Sequence, residues 1–108
     1  MRFAIFVIDD ATNTGNAAEL AAINAFNAQL QESGQFVLAI GIAGSSDATV
    51  FDNRESKGEQ KSDSLQGQPF YSGLWLINAE SHEDASKIAS QASLACNRRV
   101  ELRPLLGG

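Results

Sequence analysis

The chain has 108 residues, 44% apolar and 19% charged, a composition that fits one globular domain and excludes disordered and fibrous classes. Its formal net charge of -5 repels phosphate backbones and anionic lipid surfaces, which argues against nucleic-acid and membrane partners. The single cysteine, Cys96, makes no internal disulfide and suits a reducing interior, while the apolar run at 3–8 stops at Asp9 and Asp10, too short for a signal peptide or a membrane span, so a soluble, cytoplasmic protein is expected.

Residues 2–8 carry Phe3, Ile5 and Val7 on one side and Ala4, Phe6 and Ile8 on the other. Apolar on both faces and rich in β-branched and aromatic residues, they read as a central strand. The Asp, Asn, Thr and Gly of 9–15 turn the chain. Asn16 with Glu19 three residues on has the form of a capping box, and Leu20, Ile23, Phe26 and Leu30 follow at helical spacing until Gly34 stops the helix. A second two-faced strand covers 36–42.

From 45 to 70 the chain is polar apart from a short strand candidate at 48–51, and so long a connection suggests a lid or a projecting hairpin. Residues 71–79 form the next strand, with Leu74 and Leu76 on one face and Trp75 and Ile77 on the other. Ser81 and Asp84 bracket a second capping box, followed by Ala85, Ile88, Ala89, Ala92 and Ala95 as the apolar stripe of a helix. Residues 100–103 form a last strand, ended by Pro104.

The order β-α-β, polar insertion, β-α-β predicts an α+β fold over the whole chain, a ferredoxin-like split βαβ sandwich with both helices on one face of the sheet. Two helices cover one face only, whereas the strands are apolar on both. A homodimer joined through the helix-free faces is the simplest way to bury the second.

Cys96 ends the alanine stripe and reads first as a small buried filler, with a thiol activated by nearby Arg98 as the alternative. Asn97 reads as a left-handed helix cap that also stands where helix meets strand, in reach of a cleft. Trp75 reads as core or as the wall of a ligand cleft between sheet and helices. Asp63 and Tyr71 flank the polar insertion near the expected mouth of that cleft. His82, the only histidine, opens the second helix as an exposed residue, and neither it nor Cys96 has neighbours that would make a metal site. No phosphate loop, nucleophile elbow or HExxH pattern occurs, and no haem ligand lies in the later turns of either helix, so no metal or other cofactor is expected.

Three runs, AFNAQLQESG at 25–34, GLWLINAES at 73–81 and ACNRRVELRP at 95–104, resemble the YciI-like family, especially its DGPF-domain branch, and the likeness extends over nearly the whole chain. The resemblance implies a dimeric α+β barrel. The tetrapeptide Asp-Gly-Pro-Phe is absent as a unit, with Asp63 followed by Ser64 and Leu65 and with Pro69-Phe70 further on. The histidine that the YciI-like branch carries on its first helix, suggested there as half of a catalytic dyad, is also absent; Asn24 and Asn27 are among the polar residues present. Two functions stay open. One is a small-molecule binder or cofactor-independent lyase, isomerase or oxygenase, with Asp63 accepting a proton, Asn97 and Arg98 stabilising negative charge, and Tyr71, Trp75 and Asn24 binding the ligand. The other is a non-catalytic regulatory or protein-interaction module built on the polar insertion.

Overall fold

The structure, a computed structural model, describes residues 1–9, 16–62 and 69–107. Strand β1 (Arg2–Asp9) is followed by helix α1 (Ala17–Glu32), strands β2 (Phe36–Gly41), β3 (Thr49–Asp52), β4 (Glu59–Ser62) and β5 (Phe70–Asn78), helix α2 (His82–Cys96) and strand β6 (Arg99–Pro104). Four of the strands form one antiparallel sheet in the order β2-β5-β1-β6, so the two most apolar strands are central. This is a mixed α+β architecture with the strand order expected of a ferredoxin-like fold. Neither helix is long and apolar enough to cross a membrane.

Both helices begin and end on the signals expected of them. The Asn16 Oδ1 accepts the Glu19 backbone N–H at 2.9 Å and the Ser81 Oγ accepts that of Asp84 at 3.1 Å, each satisfying an orphan donor of a first turn. At the end of α1, Gly34 at φ +75° lets the Gln35 N–H reach the Leu30 carbonyl at 2.9 Å, which closes the helix. Asn97 ends α2 in the left-handed conformation at φ 54°.

The core lies between the helices and the face of the sheet that carries Phe3, Ile5, Val7, Trp75 and Ile77. Helix α2 buries Ala85, Ile88, Ala89, Ala92 and Cys96 there, its small side chains permitting close approach. Helix α1 buries only Phe26 and Leu30, both in its second half; Leu20, expected in the same stripe, is 60% exposed.

Two bulges break the alternation of inward and outward residues. In β2 the register shifts between Phe36 and Leu38, so Phe36 pairs with Ile77 and Ala39 with Trp75, both on the helix side. Between β1 and β5 the register shifts after Val7: Val7 opposes Gly73 but Ile8 opposes Tyr71, with Ser72 as the extra residue. Tyr71 is thereby turned to the opposite face from Trp75.

The helix-free face has two regions. Toward β2 it carries Leu74 and Leu76 with Leu38 and Ile40, the last two 41% and 52% exposed. Toward β6, Tyr71 stacks on Phe6 at 4.8 Å and joins Glu101 and Arg103 in a hydrogen-bonded cluster. The polar insertion contains a hairpin: β3 and β4 pair from Thr49 with Ser62 to Asp52 with Glu59, around a turn that places Glu55, Ser56 and Gly58 at positive φ. The Asp52 carboxylate holds that turn through Arg54 at 2.8 Å and Lys57 at 3.4 Å.

Candidate functional site

Between α1 and the β2–β5 end of the sheet lies a cleft of ≈ 360 Å³. Its origin is a local shortage of side-chain volume. On the helix side of the sheet, Ala39 opposes Trp75 and Gly41 opposes Gly73, so three small residues meet where two strands pair. The glycine at 73 is required by the strand spacing, since a Cβ there would lie 2.8 Å from the Ile40 carbonyl oxygen. With α1 anchored by Phe26 and Leu30, the described side chains leave the space above these positions open.

Trp75 and Asn27 stand at the inner end. The Trp75 ring meets Phe26 edge-on at 5.5 Å, and its Nε1 donates to Asn27 Oδ1 at 2.6 Å. Ile23 and Val7 complete an apolar wall.

Charge is concentrated at one side. Arg98 Nε donates to Asp9 Oδ2 at 3.1 Å and Nη1 to Glu19 Oε2 at 3.4 Å, and the three side chains are only 9%, 12% and 14% exposed, in the order Arg98, Asp9, Glu19. The same Nη1 donates to the Cys96 carbonyl at 2.7 Å, one of the orphan acceptors at the end of α2, where the helix dipole favours a cation. The left-handed turn at Asn97 directs Arg98 back in this way, and the Asn97 amide donates to Glu19 Oε1 at 3.3 Å. Glu19 near the start of α1 and Asp9 at the end of β1 are thus both tied, through Arg98, to the end of α2. Close by, burial pushes the Cys96 thiol pKa up, outweighing the pull from Arg98.

The residues singled out in the sequence are distributed as follows. Arg98 and Trp75 line the cleft, and Asn97 is exposed at its rim, one hydrogen bond from Glu19. Asn24 is exposed on α1 and does not line it; Asn27, one turn on, does. Tyr71 lies on the helix-free face, hydrogen-bonded to Glu101. Asp63 lies outside the described residues. His82 is exposed and sits edge-on to Phe3 at 5.9 Å. Among the described residues no three His, Cys, Asp or Glu side chains gather as metal ligands.

The acids that pair with Arg98, Asp9 in the cleft lining and Glu19 outside it, were not among the sequence candidates. Asp9 continues the inward row Phe3, Ile5, Val7, so a carboxylate on the buried side of a central strand was the available signal. Glu19 read as a capping partner, but its carboxylate engages Arg98 and Asn97.

Comparison with solved structures gives 5-chloro-2-hydroxyhydroquinone dehydrochlorinase from Burkholderia phenoliruptrix AC1100, in complex with 2,5-dihydroxybenzoquinone. The match has a TM-score of 0.55 at 11% identity and covers 100% of this chain and 96% of that one, a likeness of fold. No curated protein matches the sequence significantly. The YCII-related domain matches residues 1–106, and the chain therefore belongs to the YCII-related domain family.

Proposed function

We propose that the protein binds a small cyclic organic molecule in the cleft between α1 and the β2–β5 end of the sheet, and that two copies associate through their helix-free faces. The observation that carries this reading is a preformed cleft with an apolar wall and a partly buried Asp9–Arg98–Glu19 cluster at one side, the combination typical of small-ligand sites. A protein of similar fold has been solved with a small cyclic compound, which supports the ligand class.

Acid–base chemistry without a cofactor fits the same residues. In a lyase or isomerase step Asp9 is the proton acceptor inside the cleft, the part the sequence suggested for Asp63, and Arg98 fixes its orientation. Asn97 acts through Glu19 as a positioning residue. Cytoplasmic residence is part of the proposal, in keeping with a lone buried thiol.

A thermal-shift screen of cyclic metabolites, followed by quenching of Trp75, the only tryptophan, tests the reading. A ligand at 100 times its dissociation constant adds about 2.7 kcal/mol of stability. A flat screen together with capture of one defined protein partner would instead support an interaction module. That second reading is favoured by Phe51, 69% exposed on the β3–β4 hairpin.

A further inference from the structure

We propose that Asn27 is the residue by which the cleft selects its ligand, and that it selects a ring bearing a carbonyl oxygen; the inference rests on the small-molecule reading and names the chemistry of that same site. The Asn27 amide has a defined orientation. An indole N–H donates and cannot accept, so the Asn27 atom 2.6 Å from Trp75 Nε1 is the carbonyl oxygen, and the NH2 group is the half left over. Trp75 is 4% exposed and packed edge-on against Phe26, so the donor that fixes the amide is itself held in place.

The left-over half has no partner within the fold. Among the described residues no group accepts a hydrogen bond from Asn27 Nδ2, whereas every fully buried side-chain nitrogen and oxygen has a partner. An unpartnered Nδ2 on this half-buried residue is therefore accessible, and Asn27 lines the cleft. The result is an oriented hydrogen-bond donor beside the apolar wall of Val7 and Ile23.

A donor of this kind favours an acceptor that carries no proton of its own. A ligand hydroxyl can accept from Nδ2, but the indole already occupies Asn27 Oδ1, so the hydroxyl proton has to find a partner elsewhere or stay unsatisfied against Val7 and Ile23. A ring ketone has no proton to place. Its ring removes apolar surface from water against the same wall while its oxygen takes the Asn27 N–H.

The test uses three rings on one carbon skeleton, acetophenone, 1-phenylethanol and ethylbenzene, titrated into the full chain and into Asn27→Asp, with Trp75 fluorescence reporting affinity and nitrogen-edited NMR reporting the side-chain amides. Asn27→Asp keeps an acceptor oxygen for the indole and removes the NH2 donor, and circular dichroism checks its fold. The ratio of acetophenone to ethylbenzene affinity is expected to be about fivefold to tenfold higher in the native chain than in the variant, the size of one hydrogen bond. In the variant 1-phenylethanol, which can donate to a carboxylate, is expected to overtake acetophenone. The Asn27 side-chain N–H signals of the native chain should move downfield with acetophenone and stay in place with ethylbenzene, a readout that holds even where the variant does not fold. Acetophenone binding with an unchanged ratio or unmoved Asn27 amide signals overturns Asn27 as the selecting residue and leaves the cleft as a ligand site. Tighter binding of 1-phenylethanol than of acetophenone to the native chain overturns the carbonyl in favour of a hydroxyl. If no probe binds at millimolar concentration, the small-molecule reading falls as well.

Discussion

Trp75 on β5 and Asn27 on α1 are joined by a 2.6 Å hydrogen bond that fastens the helix beside the cleft. The indole is 4% exposed, so without Asn27 its N–H keeps the cost of leaving water and gains no acceptor. Asn27→Ala is expected to lose ~1–3 kcal/mol in urea unfolding. Trp75→Phe combined with Asn27→Leu removes donor and acceptor together, and should cost less than the sum of the single changes.

Gly73→Ala tests the origin of the cleft. The added methyl would meet the Ile40 carbonyl oxygen at 2.8 Å, and because that atom is backbone, β2 has to move. A loss of ~1–3 kcal/mol is expected, measured by chemical denaturation, with weaker binding of any cleft ligand.

The strands and helix caps were legible in the sequence because their signals are local: a run of β-branched residues, or an Asn or Ser three residues before an acid. The cleft was not. Ala39, Gly41 and Gly73 become its floor only when β2 pairs with β5, and Asp9, Glu19 and Arg98 come from three segments that meet only in the folded chain. Tyr71 shows a different failure. Counting by twos from Trp75 places it on the helix side, and the single extra residue at Ser72 reverses that, a bulge with no compositional mark in the sequence.

On the helix-free face, the Tyr71 hydroxyl donates to Glu101 Oε2 at 2.9 Å, and Arg103 Nε donates to the same oxygen at 2.6 Å. The Tyr71 bond first, and Arg103 second, hold the Glu101 carboxyl below its usual pKa, and the same bond raises that of the Tyr71 phenol. For Glu101, depressed in the folded chain, the stabilisation is present above the unfolded carboxyl value and is lost as pH falls through the folded one. For Tyr71 it is present below the unfolded phenol value and is lost as pH rises through the folded one. Tyr71→Phe is expected to move the Glu101 titration upward, read by carboxyl carbon NMR, and to shift the acid limb of stability in the same direction.

Cys96 should behave as a buried thiol. Burial raises its pKa and its side chain is enclosed, so the thiolate that would react is both scarce and shielded. A disulfide reagent at neutral pH is expected to label it at the rate of unfolding or local opening, and fast labelling of the native chain would contradict this placement.

The two-faced sheet yields the sharpest expectation about assembly. Leu38 and Ile40 are 41% and 52% exposed beside Leu74 and Leu76, so replacing them costs a lone chain little, whereas in a face-to-face pair each would be buried against its copy. Leu38→Glu with Ile40→Glu therefore places four like charges in the interface of the pair and two in water on the single chain. Light scattering at micromolar concentration should give the mass of two chains for the native protein and of one for the variant, with helix and strand content unchanged by circular dichroism. A native protein that runs as a single chain under those conditions would show that the helix-free face is tolerated in water, and the proposed pairing would fail.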